Sequence, residues 1–502
     1  MRHQSIWRAT AGVAPRSSAL PREVDVLVVG GGITGLTAAY LLARSGQRVA
    51  VVERERIGAG ETGNTSAHLT QITDLRLTDL AGRFGRDGAR LAWEGGGVAI
   101  DLIDSIVERE GIDCDFARVP GWLCGPFLEP ETDERESLRA DAELAAQIGI
   151  QASYHEANPV DGRPGVVFTD QGIIHPLRYL EGLAAAAESS GVTIVEHAEV
   201  SQVIQDPLVA VVNGQNVACA DVVIATHVPI IGSTHLVQAT LFQTKIYPYS
   251  SYVVGARIDE PLAAGLYEDT ASPYRYLRVH RDERGSYAIL GGADHKTGTV
   301  TDTSERFADV QKLLLRLLPS ARIDARWTGQ VIETSDGLPF VGETAPHQYA
   351  ATGYAGNGLT FGTLGGLMVN DAITGAENPW RALFDPNRRE LKAKVLATVV
   401  AENVQYPFYF LVDRLRRNRT DDVQTLKPGE GKVLTIGGKA VACHRTDAGE
   451  LVKVSAVCTH MGCLVRWNVS QRTWDCPCHG SRFTSDGLVL GGPAESALER
   501  MD

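Results

Sequence analysis

The chain has 502 residues and a formal net charge of −13 at pH 7, which argues against nucleic acid or an anionic membrane surface as a partner. Its apolar fraction of 44% and charged fraction of 22% are those of a globular protein long enough for about three domains. No apolar run approaches the roughly 20 residues of a membrane helix, and the N-terminus has no signal-peptide core, so we expect a cytoplasmic protein without a membrane span.

The first predicted elements follow a polar start. Residues 1–21 contain two prolines, and we expect them to form an irregular arm. Residues 24–29, VDVLVV, are a short apolar run of the kind that forms a buried parallel strand. A Gly-rich turn, a helix that ends at Gly46 and a second apolar strand that ends at Glu53 come next. This order predicts a βαβ unit.

The Gly-rich turn carries a dinucleotide-binding spacing. Gly30 permits the tight turn, Gly32 lets the backbone approach a pyrophosphate, and Gly35 lets the helix pack on the strand. Glu53 follows at the distance expected for an acid that binds ribose hydroxyls. A second such spacing is missing from the rest of the sequence, including the strand-following segment 289–298. We therefore expect one dinucleotide, bound near the N-terminus.

The middle of the chain alternates predicted helices and short strands without an internal repeat. Helices are predicted over 138–149, 176–191 and 305–319, and strands over 191–204, 221–226, 251–258 and 286–292. Residues 348–375 predict a strand, a Gly-rich turn and a further helix. Short alternating strands over 431–436, 439–445 and 450–457 then predict a small antiparallel domain at the C-terminus.

Four of the eight cysteines lie between positions 458 and 478. Cys458-x-His460 and Cys476-x-x-His479 together offer two thiolates and two imidazoles. A tetrahedral zinc site accepts such a set, and so does a Rieske [2Fe–2S] cluster, in which two thiolates hold one iron and two imidazoles the other. One cysteine and one histidine in each loop favour the Rieske arrangement.

The N-terminal stretch 24–70 resembles the D-amino-acid oxidase-like family of FAD enzymes, which includes glycine oxidase and sarcosine oxidase. The segments 172–184, 221–229, 336–343 and 351–366 are similar to the same family, so the resemblance spans residues 22–380. It implies a Rossmann-like FAD-binding domain of the α/β class with an inserted mixed α+β substrate domain. It also implies FAD contacts at Gly30, Gly32, Thr34, Gly35, Glu53, Arg54, Thr65, Ser66, Val200, Gly353, Gly356, Gly358 and Leu359. Asn64 stands where some relatives tether FAD covalently, so we expect non-covalent FAD.

The same resemblance gives the substrate class, because members of the family mostly oxidise C–N bonds of amines and amino acids. The usual anchor would be an arginine that pairs with a substrate carboxylate. The candidate catalytic residues are Tyr252, Arg278 and His295, with Arg275 and Lys296 as further candidates. Each of them is also compatible with a structural role, and His227 is interpreted as structural.

The hexapeptides CTHMGC and CPCHGS resemble the two cluster loops of Rieske proteins almost letter for letter, and GGPA, 491–494, resembles their proline loop. The resemblance covers about the last 80 residues and implies a small all-β Rieske domain over 425–502, after a connecting segment 381–424. It implies cluster ligands Cys458, His460, Cys476 and His479. Cys463 and Cys478 resemble the pair that forms a disulfide in cytochrome bc-type Rieske proteins, with two free buried thiols as the alternative.

Two further expectations concern the chemistry of the cluster. Only 23 residues follow His479, too few for the domain that holds the mononuclear iron of a Rieske oxygenase, so that class is excluded. Ser481 stands where high-potential Rieske proteins have a hydrogen-bonding serine, whereas Phe483 replaces their tyrosine. We expect a midpoint potential inside the family span of about −150 to +300 mV rather than at either extreme.

A flavin and a Rieske cluster in one chain predict an enzyme that converts two-electron into one-electron transfer. The main hypothesis is an FAD-dependent amine or amino-acid dehydrogenase that passes electrons to an external acceptor, either a ferredoxin, a cytochrome or a quinone. One alternative is an NAD(P)H-driven reductase that feeds a partner oxygenase, although the sequence shows no nicotinamide site. Another alternative is a redox sensor.

Overall fold

The computed structural model describes residues 3–129, 133–229, 244–300, 302–388, 402 and 423–501. Most of the predicted connecting segment 381–424 therefore lies outside the described residues. The helices of the described part are α1 (Ile6–Thr10), α2 (Ile33–Arg44), α3 (Leu77–Glu110), α4 (Arg135–Gln147), α5 (Pro176–Ser189), α6 (Ser304–Leu317), α7 (Gly358–Thr374) and α8 (Arg381–Phe384).

Short strands make up the rest of the regular structure. In chain order they are β1 (Glu23–Val29), β2 (Val49–Val52), β3 (His68–Leu69), β4 (Ala117–Cys124), β5 (Ala152–His155), β6 (Gly165–Ile173), β7 (Thr193–Val195), β8 (Val200–Ile204), β9 (Val209–Val212), β10 (Gln215–Ile224), β11 (Ile246–Ile258), β12 (Gly265–Asp269), β13 (Tyr276–Asp282), β14 (Gly285–Lys296), β15 (Arg322–Thr334), β16 (Phe340–Ala345), β17 (Gln348–Thr352), β18 (Gly431–Ile436), β19 (Lys439–Arg445), β20 (Leu451–Ser455), β21 (Arg466–Asn468), β22 (Thr473–Asp475), β23 (Arg482–Phe483) and β24 (Val489–Gly491).

The nucleotide-binding sheet has the order β16-β17-β10-β1-β2-β7, with β8 and β9 attached to β10. Its central pairs, β17–β10, β10–β1, β1–β2 and β2–β7, are all parallel. Strand β1 is buried over most of its length because it lies between β10 and β2 and helix α2 packs beside it, and this explains the apolar run that predicted it. The predicted βαβ unit is therefore present.

A second sheet of nine strands forms the other half of the large domain. Its order is β15-β11-β14-β13-β12-β4-β6-β3, with β5 attached to β6. Helix α6 packs on β11 and β14, and its residues Phe307, Val310 and Leu314 bury one face of the sheet. The opposite face turns toward the nucleotide-binding sheet and so provides a wall for any cavity between the two.

The C-terminal part is all-β, with a three-stranded sheet β18-β19-β20 and a four-stranded sheet β21-β22-β23-β24. Its small core includes Trp474 and Phe483, both fully buried, together with the cysteines of the two hexapeptides. The predicted fold class, a Rossmann-like α/β domain with an inserted mixed domain followed by a small all-β domain, is confirmed.

The N-terminal arm differs from the expectation of irregular structure. Helix α1 lies within it, and Trp7 is only 2% exposed. The Trp7 indole donates a hydrogen bond to the carbonyl of Thr65 at 2.7 Å, and Ser5 donates to the carbonyl of Gly63 at 2.5 Å. The arm is ordered because its one large aromatic residue is buried, a contact that the local sequence pattern did not reveal.

Candidate flavin cavity and cluster loops

The turn between β1 and α2 has the geometry that its three glycines predict. Gly30 has φ +112°, and a Cβ there would lie 2.5 Å from the carbonyl oxygen of Ala225. A Cβ at Gly35 would lie 1.9 Å from the carbonyl oxygen of Gly30, so only glycine lets the helix pack this closely. Gly32 caps α2, and the start of this helix faces a cavity where a pyrophosphate would be held, while the N–H of Ile33 donates to the Thr62 hydroxyl at 3.2 Å.

The cavity has a volume of about 580 Å³ and lies between the two large sheets. Most of the predicted FAD contacts line it, namely Gly30, Gly32, Thr34, Glu53, Arg54, Thr65, Ser66, Val200, Gly356, Gly358 and Leu359. Gly35 and Gly353 lie outside the lining, and each allows a close backbone approach that a side chain would prevent. Gly353 has φ +78°, and a Cβ there would lie 2.4 Å from Cγ2 of Thr334. The residues present therefore fit FAD.

Asn64, at the position considered for a covalent link, is held by the N-terminal arm. Arg8 donates from Nε to Oδ1 of Asn64 at 3.2 Å, and Trp327 donates to its backbone carbonyl at 2.8 Å. A side-chain amide is not a nucleophile for a flavin tether, and non-covalent FAD stays a prediction.

The three predicted catalytic residues do not line the cavity. Tyr252 points to the opposite face of the sheet, where its hydroxyl lies 2.9 Å from Nε2 of His295 and its ring packs against Phe307. Arg278 is 1% exposed, and its Nη1 donates to the carbonyl oxygens of Ala67 at 2.8 Å and Ile174 at 2.9 Å. Arg278 thus braces the segment that precedes β3, and its Nη1 is engaged by the protein's own backbone.

The two further candidates are engaged elsewhere as well. Arg275 forms ion pairs with Glu129 at 2.8 Å and with Asp269 at 3.4 Å. Lys296 pairs with Glu402 at 3.0 Å. Within the described residues, neither of these two side chains lines the cavity. The expected arginine anchor for a substrate carboxylate is therefore not found among the residues that were predicted to provide it.

Sequence reasoning missed the side chains that do form the wall opposite the nucleotide-binding turn. They are His68, Asp74, Ser251, Glu268, Tyr274 and Tyr276. Glu268 on β12 lies directly opposite Tyr276 on β13, and the Tyr276 hydroxyl lies 2.9 Å from that of Ser251. Two adjacent acids, Glu268 and Asp269, in the mostly buried strand GLYED were the one local signal that could have identified this wall.

The wall contains two carboxyl groups that line the cavity, one on the exposed residue Asp74 and one on the half-buried residue Glu268. Asp74 accepts hydrogen bonds from the N–H of Gly356 at 3.2 and 3.3 Å, where the resemblance places the pyrimidine end of the flavin. Burial raises the pKa of Asp74 to about 6. Burial, with the nearby charges of Asp74 and Asp269, raises the pKa of Glu268 to about 8.

Two histidines also contribute to the cavity wall. His68 is 6% exposed, its Nδ1 lies 3.0 Å from the hydroxyl of Ser66, and its Nε2 lacks a hydrogen-bond partner among the described groups. Burial and the charge of Arg278 lower the pKa of His68 to about 3, so its ring is neutral. His227, interpreted as structural, also lines the cavity and has φ +68°.

The two cluster loops bring their four predicted ligands together. The rings of His460 and His479 lie 4.8 Å apart, nearly perpendicular to each other. The neighbouring Cys476 thiol and the N–H of His460 lower the pKa of Cys458 to about 7 in spite of burial. Burial, with the charges of His460 and Lys296, lowers the pKa of His479 to about 3. The contact with Cys458, together with burial, raises the pKa of the Cys476 thiol, so one thiol of the pair ionises before the other. Neutral imidazoles beside a thiolate suit a Rieske cluster.

The spare cysteines are joined. Cys463 and Cys478 form a disulfide, as the resemblance implied, and it links the first loop to the second. The sulfur of Cys476 lies within 4.8 Å of both disulfide sulfurs. Ser481 is fully buried beside Cys458, and its hydroxyl accepts the N–H of Ala494 at 3.1 Å. The intermediate redox potential stays a prediction.

The second cluster loop lies directly on the flavin domain. The Gln330 side chain donates to the carbonyl of Gly480 at 3.0 Å, while Gln330 and its strand neighbours Gly329 and Val331 line the flavin cavity. A Cβ at Gly298 would lie 2.7 Å from the backbone of Cys476, and a Cβ at Gly480 would lie 2.5 Å from Pro248. Glycine is thus required on both sides of this contact.

The all-β domain also closes part of the cavity. Residues around the proline loop, among them Leu490, Gly492 and Ser496, form part of its lining. The carbonyl of Leu490 accepts a hydrogen bond from Nη2 of Arg54 at 3.1 Å. Strand β15 therefore connects the cavity to the cluster loop, and the proline-loop segment forms a second contact near the nucleotide end.

These features define a flavoprotein that carries an iron–sulfur domain, and comparison with known families agrees. The model for FAD dependent oxidoreductases matches residues 25–372, and the model for the Rieske [2Fe-2S] domain matches residues 417–502. The chain belongs to the FAD-dependent oxidoreductase family, with a C-terminal Rieske domain. It is an oxidoreductase of the amine and amino-acid oxidase type whose cofactors are FAD and a [2Fe–2S] cluster.

Individual relatives support both parts of the chain. A putative Rieske 2Fe-2S iron-sulfur protein of Bacillus subtilis, YhfW, is 29% identical over 510 residues, 99% of this chain and 97% of its own length. The gamma-glutamylputrescine oxidoreductase of Escherichia coli is 29% identical and covers 78% of this chain and 93% of its own length. Glycine oxidase from Geobacillus kaustophilus has the same fold, with a TM-score of 0.61 at 22% identity over 74% of this chain and all of its own.

The helices of the described residues were also compared with the requirements of a bilayer. Not one of them combines the length and the apolar character that a membrane crossing requires. The predicted absence of a membrane span agrees with this finding for the part of the chain that the structure describes. The cytoplasmic location stays a prediction.

Proposed function

We propose that the chain is a dehydrogenase that oxidises a C–N bond of an amine or amino acid and delivers the electrons singly to an external acceptor. The substrate would lose one hydrogen from carbon and one from nitrogen, that is, two electrons and two protons, to give an imine that water hydrolyses. The acceptor, a ferredoxin, cytochrome or quinone, would take up the two electrons in two steps.

The contact between β15 and the second cluster loop carries this proposal. When bound, FAD accepts two electrons together, and the Rieske cluster passes them one at a time. Gln330 contributes to the flavin cavity and donates to Gly480, one residue from the ligand His479. A Rieske domain that only regulated the enzyme would not need to place its second cluster loop in contact with β15, the strand that lines the cavity.

The two cluster histidines face different surroundings, which supports an outward path for electrons. His479 lies near Lys296 of the flavin domain. His460 belongs to the loop whose Met461 is 52% exposed and whose neighbour Val457 is 38% exposed. An exposed apolar tip beside one ligand supports the docking of a one-electron acceptor at that side.

An anaerobic screen of amines and amino acids tests the proposal. We expect at least one of these substrates to bleach the flavin absorbance without NAD(P)H, followed by the electron paramagnetic resonance signal of a reduced Rieske cluster. Fast flavin reduction by NADH alone would instead favour the reductase hypothesis. Flavin bleaching without any reduced-cluster signal would contradict the electron path through the Rieske domain.

A matched variant tests the path itself. Gln330→Leu removes the hydrogen bond to Gly480 but leaves the cavity-lining backbone of β15 in place. We expect substrate to bleach the flavin of the variant at the wild-type rate, while the reduced-cluster signal appears more slowly. Equal slowing of both signals would show that Gln330 acts only on the structure of the cavity.

A further inference from the structure

The substrate side of the flavin cavity is lined by acidic side chains. Seven carboxylate residues and one arginine line the cavity as a whole within the described chain, and the arginine, Arg54, lies at the nucleotide end. On the opposite wall, Asp74 and Glu268 face the cavity, and no lysine or arginine of the described residues stands beside them. A substrate carboxylate would therefore find no cation to pair with at this wall.

A buried polar atom without a hydrogen-bond partner lies at the same wall. Nε2 of His68 has no partner within the described structure, although the side chain is only 6% exposed and lines the cavity. A buried polar atom without a partner is costly, so a bound ligand that forms a hydrogen bond with this nitrogen would be favoured here.

The acids are poorly suited to hold the nitrogen that is oxidised. A carboxylate next to an ammonium stabilises the protonated form, whereas the reacting nitrogen must give up its proton before the C–N bond can be oxidised. Two carboxyl groups on the wall therefore suit a second, non-reacting cationic group of the substrate. The hydroxyls of Ser251 and Tyr276 add polar contacts beside them.

We propose that the substrate is a di- or polyamine, whose distal ammonium is bound by Glu268 and Asp74 while its other amine is oxidised. This inference rests on the proposed function and adds a substrate class to it. The acidic wall would bind the distal ammonium, and oxidation would take place at the other amine. The number of carbon atoms between the two nitrogens would therefore determine how well a substrate fits. Monoamines and amino acids would lack the first interaction.

Three ligands of equal carbon count test the inference with the holoenzyme: 1,4-diaminobutane, butylamine and 4-aminobutanoate. We expect calorimetric titration without oxygen to give at least tenfold tighter binding of the diamine than of the other two. Glu268→Gln keeps the shape of the side chain and its acceptor oxygen but removes the charge that the carboxyl can take up, so it should weaken diamine binding about tenfold. Butylamine binding should change much less.

A control variant separates this effect from a general change of charge. Glu283→Gln makes the same substitution in the exposed turn between β13 and β14, outside the cavity, and should leave all three affinities unchanged. Equal loss of butylamine and diamine affinity in Glu268→Gln would overturn the distal-ammonium role.

The outcomes also distinguish this inference from the proposed function. Tight, selective diamine binding without any flavin bleaching would support the binding of diamines by the acidic wall but overturn the dehydrogenase proposal. Flavin bleaching by monoamines or amino acids with no preference for diamines would retain the dehydrogenase and overturn the inference. Neither binding nor bleaching by any amine would overturn both.

Discussion

The disulfide between the cluster loops allows a quantitative prediction for the double variant Cys463→Ala and Cys478→Ala. The two residues are separated by 15 positions, and cross-linking a loop of that length restricts the unfolded chain by about 3 kcal/mol. Removing the cross-link should lower the free energy of unfolding of the Rieske domain by up to that amount. For a domain of this size, each kcal/mol corresponds to roughly 4–8 °C, so we expect the cluster to be lost roughly 12–24 °C earlier.

The assay is thermal loss of the visible circular dichroism of the cluster, with flavin fluorescence recorded in the same sample to report the larger domain. Cys443→Ala is the matched control, because it removes a fully buried thiol of the same domain without breaking a cross-link. We expect the control to lose its cluster within a few degrees of wild type. The flavin signal should move less than the cluster signal in the double variant.

Reduction of the wild-type disulfide provides an independent comparison. A mild reductant should lower the cluster-loss temperature of the wild type toward that of the double variant and should leave the double variant unchanged. The reasoning fails if the double variant and wild type lose the cluster at the same temperature, because the loops would then be held by their packing and ligands alone.

Three other perturbations give further tests. Arg278→Met removes the donor to the carbonyls at Ala67 and Ile174, so FAD should dissociate more readily in gel filtration. Burial raises the pKa of Glu268 to about 8, so its carboxyl is mostly protonated at pH 7. A bound ammonium lowers that pKa, hence diamine affinity should rise between pH 6 and 8, with proton release in calorimetry in two buffers. Gly298→Ala should slow cluster reduction without changing flavin bleaching, because the added methyl pushes the loop away.

The sequence was most informative where a local motif is also the functional unit. The glycines after β1 and the two hexapeptides have fixed spacing because each motif folds around one ligand group, so a few residues determine both structure and role. Helix α3 was missed for the opposite reason. Its glycines, such as Gly95 and Gly96, look unfavourable for a helix, yet they allow contact with Leu364 and Gln71 that side chains would prevent.

The substrate wall could not be predicted because no single segment contains it. Asp74 lies in the loop after β3, Glu268 lies on β12 and Tyr276 on β13. The pairing of β12 with β13 and the path of that loop bring them to one cavity. Tyr252 was predicted as catalytic because of its hydroxyl group. The register of β11 against β14 shifts between Ser250 and Tyr252, and the Tyr252 ring lies on the face of the sheet away from the cavity. Residue type alone does not specify which face of a sheet a side chain occupies.

The proline-loop segment that lines the flavin cavity has a consequence for biogenesis. Leu490, Gly492 and Ser496 belong to the iron–sulfur domain but close part of the space where FAD would lie. Flavin insertion is therefore easiest before this domain settles against the rest of the chain. A molecule that matures without iron would keep a looser wall there and exchange its flavin more readily. Iron supply would thus control how firmly the organic cofactor is retained.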